Sequence, residues 1–489
     1  METGVIVSLG IYMIGMLLIG YWSYRKTSTL SDYMLGGRGL GPAVTALSAG
    51  ASDMSGWMVM GLPGAMYASG MSSLWLPIGL TLGAYVNYLV LAPRFRTYTE
   101  VANDSITIPD YMENRFEDKK NILRLVSGIV ILIFFIFYTS SGMVSGGTLF
   151  ESAFGFDYRV GLILTTVVVV AYTLFGGFLA VSMTDFVQGT IMFVALILVP
   201  IVAFTDIGGF QPMVEDIRSV DPSLLNLFKG TSFLGIISLF AWGLGYFGQP
   251  HIIVRFMAIK SVKELKAARR IGIGWMIITL IGASATGLIG ISYFVQHGGK
   301  LNNPETVFIQ FSNVLFNPYI AGFLLAAMLA AIMSTISSQL LVTSSAVTED
   351  FYKTFLRRNA SDKELVLIGR LAVLAVALIA FWLSYTPNDT ILELVGHAWA
   401  GFGSAFGPAI LLSLYWKRMT KWGALAGMVV GGLTVIIWLQ IPGLADKIYE
   451  MIPGFFLSLL AVYVVSLLSK EPSASVKEQF HAMEKELHS

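Results

Sequence analysis

Apolar runs long enough to cross a bilayer recur along the whole chain, each closed by polar or basic residues. They fall at roughly 4–24, 41–66, 73–93, 122–148, 160–178, 186–206, 231–249, 271–296, 316–343, 366–386, 391–415, 420–440 and 451–469. A helix of about 20 apolar residues crosses the hydrocarbon core, so the pattern predicts an all-α polytopic membrane protein of about thirteen transmembrane helices, numbered here as spans 1 to 13. Residues 1–470 read as a single transmembrane domain. The polar tail 471–489 has too few apolar residues to fold alone, although 476–487 has the composition of a short surface helix.

Two spans break the apolar pattern near their centres. Span 2 carries Thr45-Ala-Leu-Ser-Ala-Gly-Ala-Ser-Asp53-Met-Ser-Gly-Trp57. A carboxylate at membrane depth costs roughly 2.5–3.5 kcal/mol on insertion scales, so it is expected to face a cavity, an ion or a partner. Gly50 and Gly56 flank Asp53, and glycine lowers the cost of leaving helical geometry. An unwound helix exposes carbonyls, which suit a small hard cation, and amides, which suit a carboxylate. A helix-packing face of small residues with a hydrogen-bonded Asp53 is the plainer alternative. Span 7 carries Phe240-Ala-Trp242-Gly-Leu-Gly-Tyr246-Phe-Gly-Gln-Pro250-His251. Three glycines and a proline weaken that helix as well, though glycine-rich spans are also ordinary close-packing surfaces. Span 2 and span 7 run antiparallel, which fits an inverted repeat of spans 2–6 and 7–11 with a site between the two breaks. Gly243, Gly245 and Gly248 formally spell a dinucleotide fingerprint, but no strand–turn–helix unit surrounds them.

Charge changes the picture by fixing orientation. All but five of the 31 basic residues fall in loops on one side of this topology, the exceptions being Arg159, Arg218, Lys229, Lys300 and Lys447. The positive-inside rule then puts the N-terminus outside and the C-terminus in the cytoplasm. Composition adds that 55% of the 489 residues are hydrophobic and 12% charged, with mean hydropathy +0.72, which excludes an ordinary soluble domain. There is no cysteine, so disulfide and thiolate chemistry are excluded. The first run follows Glu2, without a basic start or a small-residue cleavage site, and reads as a span rather than a signal peptide.

Candidate chemistry concentrates in three places. Span 9 holds the adjacent hydroxyls Ser334 and Thr335, which with Asp53 and an unwound span 2 suit an all-oxygen site for a monovalent ion. Back-bonding to the preceding turn is the plainer role for any one of these hydroxyls. Asp185 lies at the cytoplasmic end of the fifth span, on an ion's exit route or as a helix N-cap. Trp242 and Tyr246, four apart and expected on one helix face, are expected with Trp57 and Tyr138 to enclose a small solute with an apolar body and a cationic amine. The histidines form no metal-ligand pair at helical spacing within the spans, and no Ser/His/Asp arrangement or phosphate loop is legible. No enzymatic activity is expected.

At Gly36-Gly-Arg38-x-Leu-Gly-Pro, at Ala46 to Trp57, at Trp242 to His251 and at Met333-Ser334-Thr335-Ile-Ser-Ser-Gln-Leu-Leu-Val, the chain resembles the sodium/solute symporter family. The resemblance covers nearly its whole length. It implies a leucine-transporter-like five-plus-five inverted repeat with broken spans 2 and 7, one preceding span and two following ones. It further implies a sodium ion (Na+) held by the carbonyls of Ala51, Met54 and Ala331 and the hydroxyls of Ser334 and Thr335, with Asp53 in support. Asp185 would assist ion coupling or release, and Arg38 would belong to the inner gate. Within the family the span 2 and span 7 motifs are similar to those of members that carry proline. Ser55, Gly56, Trp57, Tyr138, Trp242, Tyr246 and Pro250 would then line an L-proline pocket. Ser338 stands where the resemblance would put a cysteine. The expected function is sodium-coupled import of L-proline across the bacterial plasma membrane. The rivals are a symporter for another small solute, a membrane sensor on the same fold, and an ion channel. The absence of a signalling domain after residue 470 argues against the sensor, and the occluding aromatics argue against the channel.

Overall fold

The computed structural model describes residues 2–26, 29–387 and 389–487. Among them, ten helices are long and apolar enough to cross a membrane, from Thr3–Ser23 to Met451–Leu468, with two shorter apolar helices at Tyr158–Ala171 and Phe233–Gly248. No strand forms among the described residues; the β-type contact is a single parallel bridge between Leu40 and Ile259. The helical stretches coincide with the apolar runs because a span in lipid must satisfy its backbone internally. Their ends carry the expected caps: the Asn317 side chain accepts from the Tyr319 and Ile320 amides, and Thr390 with Glu393 forms a capping box.

Burial sorts the helices into centre and rim. In Pro318–Leu356, 89% of the most apolar window is buried, against 28% in Thr3–Ser23. The outward faces of the rim carry Ile11, Leu18, Trp382 and Leu468, each more than half exposed. Such faces are unfavourable against water and natural against lipid tails.

Both interruptions occur, but not by the means the sequence suggested. Span 2 is helical over Pro42–Asp53, leaves helical geometry at Met54 (ψ 77°), and resumes at Trp57. Gly50 stays inside the helix and Gly56 is itself right-handed helical, so neither glycine supplies the unusual backbone. They are small because neighbours press on them. A Cβ on Gly50 would lie 2.8 Å from the Trp275 ring, and one on Gly56 would lie 2.3 Å from Ser145 Oγ. Span 7 is α-helical over Phe233–Phe240, tightens to a 3₁₀-helix over Ala241–Gly248, opens at Gln249 (ψ 106°) and restarts as Pro250–Ala258. Its glycines let span 3 touch it backbone to backbone; a Cβ on Gly83 would lie 2.2 Å from the Gly243 carbonyl oxygen. A 3₁₀-helix has about three residues per turn, so Trp242 and Tyr246 do not share one face as a 3.6-residue period implied.

Gly177 (φ 60°, ψ −156°) turns the chain inside Tyr158–Asp206, so the sixth span begins directly after it. The tail forms a helix, Ala474–Leu487, with Val476, Phe480 and Met483 buried. It docks on Ala92–Val101 and Ile108–Phe116, Phe480 meeting the Tyr98 ring edge-on at 6.1 Å.

Candidate ion and solute site

Where span 2 unwinds, span 9 presents two hydroxyls to it. Ser334 Oγ donates to the Ala51 carbonyl at 2.7 Å and to the Ala331 carbonyl at 3.1 Å. Thr335 Oγ1 stands 3.4 Å from the Ala51 oxygen and 3.3 Å from the Ala331 oxygen. The back-bonding expected of a lone span hydroxyl is therefore present, and both hydroxyls also reach across to the other span. Met54, the fifth residue of the expected set, is where the helical dihedrals end. All five residues are buried. Neutral carbonyl and hydroxyl oxygens at this density fit a hard monovalent cation, since each hydroxyl can swing its proton away and offer a lone pair.

Asp53 links the two breaks. Its Oδ2 accepts from the Tyr246 hydroxyl, and its backbone carbonyl accepts from Trp57 Nε1 at 3.0 Å. Its Oδ1 is buried without a hydrogen-bond partner among the described residues, as are the Tyr138 hydroxyl, both His251 ring nitrogens and Gln249 Oε1. Buried polar groups are normally paired, so this concentration of free donors and acceptors fits a polar solute, an ion or water held between the breaks. A small cavity of about 30 Å³ opens here, bounded by Asp53, Met54, Asn87, Tyr88 and Tyr246. Ser55 Oγ accepts from the Trp57 amide at 3.4 Å, and Pro250 is the first residue of the restarted helix.

Trp242 stands apart from the rest of the expected pocket. It stacks on Tyr449 at 5.3 Å and on Trp399 at 6.4 Å, and lines a depression of about 670 Å³ with Asp389, Glu393, His397 and Glu450. Trp399 joins the two levels: its ring meets Tyr246 edge-on at 5.1 Å and its Nε1 donates to the Trp242 carbonyl at 2.8 Å. The sequence reading missed Trp399 although Gly396, Gly401, Gly403 and an internal Pro408 mark span 11 as irregular too; the helix nevertheless stays continuous over Ile391–Tyr415. It also missed His251 and Gln249 as site residues, although both lie in the quoted motif.

Two further residues sit on the opposite side of the breaks. Arg38 has a left-handed backbone (φ 54°), and its guanidinium is within 2.9 Å of Asp104, 2.8 Å of the Met257 carbonyl and 2.6 Å of the Ser105 carbonyl. It ties the mouth of span 2 to the end of span 7 and the loop after span 3. Beside it, Leu40 N–H donates to Ala258 at 3.1 Å and Lys260 N–H donates to Leu40 at 2.9 Å. Asp185 is not an N-cap: it lies well inside its helix, fully buried, 3.1 Å from Arg255. Arg255 was counted among the loop basics that set orientation, yet it sits inside Pro250–Ala258 and is fully buried. A lone arginine in the run Ile252 to Ile259 was the signal that could have found it.

Two interrupted helices with neutral oxygens and unpaired polar groups at the breaks fit an ion-coupled membrane transporter. The chain belongs to the sodium:solute symporter family, whose model matches residues 33–431, and its relatives are transporters and not enzymes. It is 65% identical over 487 residues, 99% of each chain, to an osmoregulated proline transporter of Bacillus subtilis. It is 68% identical over 466 residues to a high-affinity proline transporter of the same organism, covering 95% of this chain and 98% of the relative. A sodium/proline symporter of Staphylococcus aureus is 57% identical over 481 residues, covering 96% and 94%. Among solved structures, an outward-open sodium-coupled sialic acid symporter superposes with TM-score 0.81 at 20% identity over 96% of this chain and 99% of that one. MhsT in complex with L-phenylalanine gives 0.52 at 15% identity over 87% and 97%. Both show the shared leucine-transporter-like fold and nothing finer.

Proposed function

We propose that this protein is a sodium-coupled importer of L-proline that works by alternating access in the bacterial plasma membrane. The observation that carries the reading is the meeting of Ser334 and Thr335 with the Ala51 carbonyl at the break in span 2. Sodium takes the oxygens of Ala51, Met54, Ala331, Ser334 and Thr335. Asp53 supports it by holding the break to Tyr246. Proline lies between the breaks: its carboxylate at the amides of Ser55 to Trp57, its ring against Tyr246 and Tyr138, with Pro250 as the rim of the restarted helix. Trp242 closes the pocket from the side of the large depression. Arg38 and Asp185 belong to the inner half, which must part for release.

The chain crosses the membrane thirteen times, with the N-terminus outside and the tail 471–489 in the cytoplasm. This orientation is supported by the basic loops and puts the large depression on the outer side. The three relatives named for proline transport support the substrate. Coupling requires sodium and proline to favour the same conformation, each by differential affinity. Uptake of labelled proline into proteoliposomes tests the reading: an inward sodium gradient should drive accumulation, and proline accumulation indifferent to sodium would overturn it.

A further inference from the structure

Past the sodium oxygens, span 9 carries a line of side-chain oxygens along Pro318–Leu356. Ser334, Ser338 and Ser345 share one stripe of its α-helical part, Pro318–Ser345. The helix then widens to a π-helix over Ala346–Leu356. Bonding from i to i+5 adds a residue to each turn, so Asp350 takes the place on this stripe that Glu349 would hold in an α-helix. Glu349 turns aside, its Oε1 2.9 Å from Lys353 Nζ. Asp350, Ser345 and Thr107 bound a cavity of about 20 Å³ that also touches Val254 on the restarted half of span 7. A water needs only about 10–15 Å³ of such space, so one small ion fits. Asp350 is fully buried. Its Oδ1 accepts from Thr107 Oγ1 at 2.9 Å and lies 3.4 Å from Arg124 Nη1. Its Oδ2 is without a hydrogen-bond partner among the described residues. Arg124 does not balance it, because the same guanidinium also binds Asp110 and, at 2.7 Å, Glu113.

We propose that Asp350, with the hydroxyls of Ser345 and Thr107, forms a second sodium site, a stage on the ion's way from the breaks to the cytoplasm. The proposal rests on the transport reading above. A buried carboxylate oxygen without a donor is unfavourable until a cation or a donor meets it. One carboxylate among neutral hydroxyls suits a hard monovalent ion. No group of three acidic or imidazole side chains converges among the described residues, which disfavours an ion of higher charge. At 1.5 Å per residue, Asp350 stands roughly 20 Å along the helix from Thr335, so the two sites hold separate ions. The π-helix is what makes the site: it brings a carboxylate under the stripe of hydroxyls and next to the cavity.

Equilibrium binding of radioactive sodium to the purified full chain, with and without proline, tests this. Binding should resolve into a component that proline tightens, at the breaks, and a component indifferent to proline, at Asp350. Asp350→Asn, which keeps the shape and removes the charge, should abolish the indifferent component. Thr335→Ala should weaken the other one. Ser345→Ala, which keeps the carboxylate, should weaken the indifferent component several-fold. In proteoliposomes Asp350→Asn should lower the maximal rate of proline uptake and leave the external sodium concentration for half-maximal uptake unchanged. A merely structural Asp350 would lower protein abundance without altering sodium bound per folded chain. Sodium binding unchanged in Asp350→Asn overturns the proposal. If that variant does not accumulate, Ser345→Ala decides, and an unaltered indifferent component there overturns it. Loss of the component in Asp350→Asn, in a parent protein whose sodium binding proline never tightens, would instead contradict the transport reading and leave the second site standing.

Discussion

Thr335 concentrates the ion reading in a single side chain. Its hydroxyl stands between the Ala51 and Ala331 carbonyls, so Thr335→Ala removes a neutral oxygen and leaves the fold's packing almost unchanged. The sodium concentration for half-maximal uptake should rise by about tenfold or more, equivalent to ~1.4 kcal/mol. Sodium titration of uptake checks this, and an unaltered sodium dependence at normal abundance would contradict it. Tyr246 and Trp242 separate the two aromatic levels. Tyr246→Ala should weaken proline binding and also release Asp53, whereas Trp242→Ala should weaken proline binding alone. Each aromatic contact contributes about 0.5–1.5 kcal/mol beyond its area, so the proline affinity should fall several-fold in both. Proline titration by fluorescence or calorimetry distinguishes them, because only the Tyr246 variant should shift sodium affinity too. These residues were legible in the sequence because each breaks an apolar pattern: a carboxylate, paired hydroxyls, aromatics beside glycines. Arg255 broke the pattern equally but was read as a loop residue, since a basic residue near a span's end satisfies the positive-inside rule without being buried.

At the level of elements, the two interrupted helices were legible but the role of their glycines was not. A one-dimensional pattern records that Gly50 and Gly56 are small. It does not record whether the backbone or a neighbouring helix requires it. Here Trp275 and Ser145 require it. Gly56→Ala should therefore act by overpacking, costing about 1–3 kcal/mol and lowering the thermal midpoint. Ser145→Ala should not rescue it, because Ser145 Cβ itself would stand 2.6 Å from the new methyl. Ser145→Gly should rescue it. A thermal-unfolding series in detergent checks the order, and a Gly56→Ala variant as stable as the parent would show that the contact yields. The face shared by Trp242 and Tyr246 failed for a related reason. Sequence period distinguishes a helix from a strand, but it does not reveal where an α-helix tightens to 3₁₀ under a close backbone contact.

For the whole molecule, length, hydropathy and basic loops carried most of the architecture, because a bilayer imposes one periodicity on every span. The proposed orientation rests on the basic loops. An enzyme reporter fused after Ser489 should be active only in the cytoplasm, and activity outside would show that a span had been miscounted. What the chain order did not carry is which spans touch: that spans 2, 6, 7 and 9 meet around Arg255 is a matter of packing between distant segments. The central claim is that sodium and proline share one conformation. Titrating each ligand at zero and at saturating concentration of the other tests it most directly. Sodium should tighten proline binding by the same factor by which proline tightens sodium binding. Proline binding that is indifferent to sodium would contradict the account.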